Sequence, residues 1–231
     1  MISYSPLLAI VTGSFELIAA VFAFFSPGRK RILYPVGLLL LLLAGYQFSE
    51  VFVCSVPNNR FFHRIAFFDI TWLPPVGLWL VYQLSSPLKR WTKIIPIGYF
   101  SAGVIMTLWI FLDSTFVTKS VCQVVIALFH SPQSFEMVYG IFYQSGLAGM
   151  IFWAAAATAY SDDLVLRKHM ANLQLGVLGF VLPSFAFHLI TQEPEGALPS
   201  VMCHFALILA LSLCMLILRE RRYGLGKINS P

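Results

Sequence analysis

Long apolar runs separated by short polar connections organise this chain. Seven of them match the ~20 residues that a helix needs to cross the hydrocarbon core of a bilayer. They lie near 6–25, 32–53, 65–84, 94–112, 137–159, 173–190 and 201–218. The connections on one side are short and hold residues that stop helices: Ser26-Pro27-Gly28, Ser85-Ser86-Pro87 and Tyr160-Ser161-Asp162-Asp163. The opposite connections are longer. One of them, near 113–136, contains an apolar piece at 121–129 that is too short to span. It reads as a helix lying on the surface or forming a lid over the bundle. Seven spans occupy nearly all of residues 1–231, which predicts a single all-α transmembrane domain with no internal repeat.

Composition agrees with this pattern. The chain is 58% hydrophobic and only 11% charged, with mean hydropathy +0.80. A soluble domain carries about 25% charged residues. Charge also orients the spans, because Lys and Arg beside spans are retained in the cytoplasm. Arg29, Lys30, Arg31, Lys89, Arg90, Lys93, Arg167, Lys168, Arg219, Arg221, Arg222 and Lys227 all fall on one side of the alternating topology. Arg60, Arg64 and Lys119 fall on the other. The N-terminus is therefore expected outside and the C-terminus in the cytoplasm, in a plasma membrane of the bacterial inner-membrane kind. The net charge of +5 belongs to these edges, against anionic headgroups, and calls for no nucleic acid. The first run does not read as a cleaved signal: no basic residue precedes Arg29, and Ala23-Phe24-Phe25 lacks the small-residue cleavage pattern.

Polar residues inside these spans are the candidate chemistry. Glu16, Glu50 and Asp69 each sit in an apolar run, at a cost of roughly 2.5–3.5 kcal/mol near a helix centre. Such groups face a protein interior or a water-filled cavity. Glu50, Asp69, His188 and His204 all fall in the outer half, as do four of the five histidines, all but His169. Gln47, Glu50 and Cys54 share one helix face, and Glu136, Tyr139 and Tyr143 share another. Trp72-Leu73-Pro74-Pro75 predicts a kink about one turn from Asp69. Ser145-x-x-x-Gly149 and Ala154–Ala157 are small residues suited to close helix packing.

Three functions fit these residues. The first is a pocket for a small or lipid-like molecule, lined by Glu50, Asp69, His188, His204, Tyr139, Tyr143 and Trp72, since an apolar cavity with a few convergent polar groups is the usual ligand site. The second is a metal centre, with zinc, manganese or iron held by Glu50, Asp69, His188 and His204 and activating water for hydrolysis. No His-x-x-x-His or His-Glu-x-x-His spacing is present, so every ligand would come from a different helix. The third is a proton path in which Glu16, the deepest acid, relays to Glu50 or Asp69 in a coupled transporter. A retinal pigment is excluded, because the last span has no lysine for a Schiff base. Of the four cysteines, Cys54, Cys122 and Cys203 lie near the outer face. A Cys54–Cys122 bridge, a Cys122–Cys203 bridge and free buried thiols are all open.

Two stretches carry a resemblance. Ala44-Gly45-Tyr46-Gln47-Phe48-Ser49-Glu50, followed by His63-Arg64-Ile65-Ala66-Phe67-Phe68-Asp69-Ile70-Thr71-Trp72-Leu73-Pro74-Pro75, resembles the seven-helix input regions ahead of some bacterial histidine kinases. Those regions have a glutamate late in one span, a basic-aromatic start to the next and a central proline. The resemblance implies a sensory seven-helix bundle with Glu50 and Pro75 at matching positions. It departs from that family after Leu218, where a short basic tail stands in place of a kinase or cyclase domain. Glu195 with Pro199-Ser200-Val201-Met202-Cys203 is similar to stand-alone bacterial seven-helix membrane proteins of unknown function. The expected function is a membrane-embedded sensor that binds a small or lipid-like ligand and signals through a cytoplasmic or membrane partner. The hydrolase and then the transporter follow it.

Overall fold

The computed structural model describes residues 6–56, 59–85, 90–114, 116, 119–122, 127–130, 132–161, 163–191 and 198–228. The helices are α1 (Leu7–Phe25), α2 (Lys30–Ser55), α3 (Arg60–Thr71), α4 (Leu73–Leu84), α5 (Ile94–Leu112), α6 (Gln133–Tyr160), α7 (Leu164–Thr191) and α8 (Leu198–Ile228). With α3 and α4 taken as one broken span, seven helices are long and apolar enough to cross a membrane. The protein is an all-α bundle of the multi-pass membrane kind. Several helices outrun the apolar windows that mark them: α8 continues to Ile228, ten residues beyond 218. Hydropathy marks the stretch that crosses hydrocarbon, while the backbone hydrogen-bond ladder continues into the polar zone.

Span three breaks at the predicted place. Neither Pro74 nor Pro75 can donate a backbone hydrogen bond, so α3 ends at Thr71 and α4 restarts at Leu73, with Trp72 between them. The Thr71 hydroxyl donates to the Phe67 carbonyl at 2.6 Å, and the ladder resumes with Val76 N–H donating to the Trp72 carbonyl at 3.1 Å. Of the two carbonyls that the prolines leave without their usual donor, those of Ile70 and Thr71, the first accepts from the Trp72 N–H.

The segment expected as a surface helix is a β-hairpin instead. Lys119–Cys122 (β1) pairs antiparallel with Ala127–His130 (β2), with Cys122 opposite Ala127. Within the strands the β-branched Val121 and the aromatic Phe129 are residue types that favour a pleated surface over a helix. A disulfide joins Cys54, near the end of α2, to Cys122, with 5.7 Å between Cα atoms. Cys203 and Cys214 are free thiols.

The hairpin defines one end of the bundle and Arg29 the other. At the hairpin end Arg64 donates to the carbonyls of Phe111 (3.0 Å) and Asp113 (2.8 Å), capping the last turn of α5. At the other end the Lys30 ammonium donates to the Phe24 and Ser26 carbonyls at 2.7 and 3.1 Å, capping α1. The core sits around α2, which packs against α1, α3, α4 and α8, while α7 lies mainly on α8. Tight approaches come from glycines. A Cβ at Gly146 would meet the Pro74 ring, and one at Gly77 would overlap the Met150 side chain, so α4 and α6 touch along this line. Ser145, beside it, bonds to the Tyr99 hydroxyl at 2.9 Å. The predicted Glu193-Pro194-Glu195 loop, Asp162 and Ser86-Pro87 lie outside the described residues.

Candidate functional site

Polar groups in this bundle gather in its hairpin half, around Cys203 of α8. The reason lies in how α1, α2 and α8 pack. The buried face of α1 is Ala9, Thr12, Gly13, Glu16, Ala19, Ala20 and Ala23, small residues three and four apart with a single acid among them. A Cβ on Gly13 would lie 3.0 Å from Gln47 Cβ and 3.5 Å from the Ala44 carbonyl, so α1 and α2 approach closely here. Gln47 in turn reaches across to α8, its Nε2 donating to the Cys203 carbonyl at 2.8 Å. A buried amide bonded to a helix carbonyl satisfies the side chain and fixes the register of two helices.

Four elements deliver side chains to this centre. From α2 come Tyr46, Gln47, Ser49 and Glu50, all buried, with Glu50 only 2% exposed. From α3 comes Asp69, 8% exposed; Ser49 hydrogen-bonds one side of its carboxylate, and the other oxygen, Oδ2, lies against Gly45. From α6 come Tyr139 and Tyr143, buried and stacked with ring centroids 6.0 Å apart. The Tyr139 hydroxyl lies 3.3 Å from Thr71 Oγ1. From α8 comes the Cys203 thiol, toward which Tyr46 is directed. Glu16, Glu50, Asp69, Tyr139 and Tyr143 all lie within electrostatic reach of that thiol.

The expected residues are divided by the structure. Glu50, Asp69, Tyr139 and Tyr143 come together. Trp72 does not: its ring packs against Phe68 and Phe100, at centroid distances of 6.2 and 5.8 Å, and against Gly103, on the side facing α5. His204 is half-buried on α8 beside Cys203. His188 belongs to α7, and its side chain lies outside the described residues, as does that of His130. Glu16, expected deep in the bundle, is the tenth residue of the 19-residue α1 and is 0% exposed.

Among the described residues no three His, Cys, Asp or Glu side chains are grouped to hold a metal ion. The zinc, manganese or iron centre on Glu50, Asp69, His188 and His204 thus finds no ligand set among them. What the arrangement offers is an acid-rich, aromatic-walled centre with no Lys or Arg among the described residues that form it. Sequence reasoning misses Cys203 as the point of convergence and His63, 2% exposed near the start of α3. The one available signal for Cys203 is its depth, level with Glu50.

A second polar cluster lies at the Arg29 end. Glu220 of α8 is 0% exposed and receives the Arg29 guanidinium on both carboxylate oxygens, with Nε–Oε2 at 2.9 Å. His169 of α7 places Nε2 3.2 Å from Oε1 and Nδ1 2.7 Å from the Val165 carbonyl. Gly28, at φ 147°, brings the connection between α1 and α2 against the Glu220 backbone; a Cβ there would lie 3.0 Å from its carbonyl oxygen. Only glycine adopts that backbone without strain.

Fold and site define a multi-pass membrane bundle with a buried acidic centre. The sequence matches no protein-family model and no curated protein. Neither comparison supports the likeness of spans two and three to histidine-kinase input regions, nor a bacterial source.

Proposed function

We propose that the protein is a membrane-embedded sensor whose centre, reached from the hairpin end, binds a small or lipid-like molecule. The observation that carries this reading is the convergence of Glu50, Asp69, Tyr139 and Tyr143, from three different helices, on Cys203 of a fourth. Buried acids and tyrosines are costly in a bilayer unless they serve a site, and aromatic walls with a few polar groups are the usual lining of one. Because the lining comes from α2, α3, α6 and α8, a ligand held there shifts their relative packing. That is what a sensor transmits to a partner.

The reading places the N-terminus and the hairpin outside and the Arg29 end in the cytoplasm of a plasma membrane, the bacterial inner membrane being the model case. Two observations support that orientation. Exposed Lys30, Arg31, Arg167, Lys168, Arg221 and Arg222 crowd the Arg29 end, and the Cys54–Cys122 disulfide lies at the other end, where an oxidising compartment belongs.

The test is thermal unfolding of the detergent-purified protein against a panel of lipids and small amphiphiles, beside the Glu50→Gln/Asp69→Asn variant. A ligand in hundredfold excess over its Kd stabilises by about 2.7 kcal/mol. The reading expects at least one compound to raise the midpoint of the wild type and leave the variant unmoved, without being turned over. A panel with no effect, or a shift that persists in the variant, would remove it.

A further inference from the structure

Glu16 is the buried acid that the ligand centre does not use, and none of the described side chains around it answers its charge. It is 0% exposed, and neither carboxylate oxygen has a hydrogen-bond partner. Both free thiols of α8, Cys203 and Cys214, are within its electrostatic reach. They lie about 16 Å apart along that helix, so Glu16 is level with the turns between them.

The helices that pack on α1 are chiefly α2 and α8. From α8 come Cys203 and Cys214; from α2 comes Gln47, which lies against Gly13 and is committed to the Cys203 carbonyl. Glu50 and Asp69, the latter with Oδ2 unpartnered, lie around the Cys203 thiol toward the hairpin end. No Lys or Arg occurs between residues 7 and 28, 32 and 59, 65 and 88, or 169 and 218. The nearest basic residues along these helices belong to the two ends of the bundle.

An isolated carboxylate in such surroundings is strongly disfavoured, and the usual resolution is neutralisation. A metal cation needs several oxygen or nitrogen ligands at once, and no such group is found among the described residues. A proton needs one oxygen. We propose that Glu16 is a proton-binding site at mid-depth, loaded from the hairpin end past Glu50 and Asp69. The occupant is a proton from solvent, and its binding does not require the ligand reading above.

The consequence for stability has a definite sign. The folded chain holds a proton that the unfolded chain releases at neutral pH, so the folded state binds more protons and stability falls as pH rises. The glutamine side chain introduced by Glu16→Gln is close in shape to a protonated glutamate and has no such proton to release.

The test is infrared difference spectroscopy of the full-length protein in lipid nanodiscs, titrated from acid to alkaline pH, for the wild type, Glu16→Gln and Glu50→Gln. The expected result is a protonated-carboxyl stretch, at the high frequency of a group without hydrogen bonds, that disappears at alkaline pH. It should be missing in Glu16→Gln and present in Glu50→Gln. The thermal midpoint of the wild type should fall more steeply with rising pH than that of Glu16→Gln, in which the other buried acids still titrate. If Glu16→Gln fails to fold, Asp69→Asn beside Glu50→Gln decides, because a band that survives both belongs to Glu16 and a band lost in either does not. A wild type without the band at any pH, or a band lost in Glu50→Gln, overturns the proposal. So does a sodium-dependent loss of the band that choline at equal ionic strength does not produce, since the site then takes a metal cation.

Discussion

Among the described residues two glutamates have no exposed surface at all, Glu220 near the Arg29 end and Glu16 at mid-depth. Glu220 is met on both oxygens by Arg29 and on one by His169, partners drawn from the α1–α2 connection and from α7. Glu16 has neither oxygen partnered. The same side chain, equally enclosed, is part of a closed charge network in one place and an unanswered group in the other. A satisfied buried pair ties elements together and has nothing left to bind. An unsatisfied one is tolerated where a ligand or a proton completes it. The Arg29 end is therefore the fixed part of the bundle, and the hairpin half is where the charge state can change.

The contrast breaks most visibly through Arg29. Arg29→Met leaves Glu220 buried with an incomplete set of partners, and removing one member of a buried pair costs about 3–5 kcal/mol. Chemical denaturation in mixed micelles should register that loss, and the double variant Arg29→Met/Glu220→Leu should recover most of it. If the double variant is as unstable as the single one, the network is not what holds this end.

Reduction of Cys54–Cys122 is expected to come next, at about 2–4 kcal/mol. Amide exchange should show the loosening at the hairpin and the last turn of α2, with the Arg29 end unchanged. Exchange that rises equally at both ends would erase the distinction between them.

Gly45→Ala acts on the centre itself. The added Cβ would lie 2.8 Å from Asp69 Oδ2, and overpacking of this kind costs about 1–3 kcal/mol. The cost should vanish in Gly45→Ala/Asp69→Ala, because the clash is with that carboxylate. The smallest effect is expected from Glu16→Gln, within about 1 kcal/mol of wild type, since the amide is close in shape to the protonated carboxyl it replaces.

The sequence makes the spans legible and their pairing much less so. Each apolar run announces a helix by length alone, and Pro74-Pro75 announces the break at Trp72 because the missing N–H groups are visible in the letters. The hairpin escapes the pattern because a short apolar run has no period long enough to separate helix from strand; the β-branched Val121 and the aromatic Phe129 are the better guide. That Glu16, Glu50 and Asp69 face inward follows from bilayer energetics. That they meet at Cys203 does not, because the Gln47–Cys203 bond joins positions 156 apart and depends on which helices neighbour α2. Depth alone puts Trp72 in the pocket, and depth does not tell which way a side chain points around a helix. Glu220 escapes notice because one acid inside Arg219-Glu220-Arg221-Arg222 reads as a solvated charge. Its partner, Arg29, is 191 positions away.

The most direct test compares the two isosteric variants, Glu16→Gln and Glu220→Gln, by unfolding at neutral pH and by the protonated-carboxyl infrared band. Glu220→Gln should lose stability and keep the band, while Glu16→Gln should keep its stability and lose the band. Equal losses of stability in the two variants, or a band that survives Glu16→Gln, would contradict this.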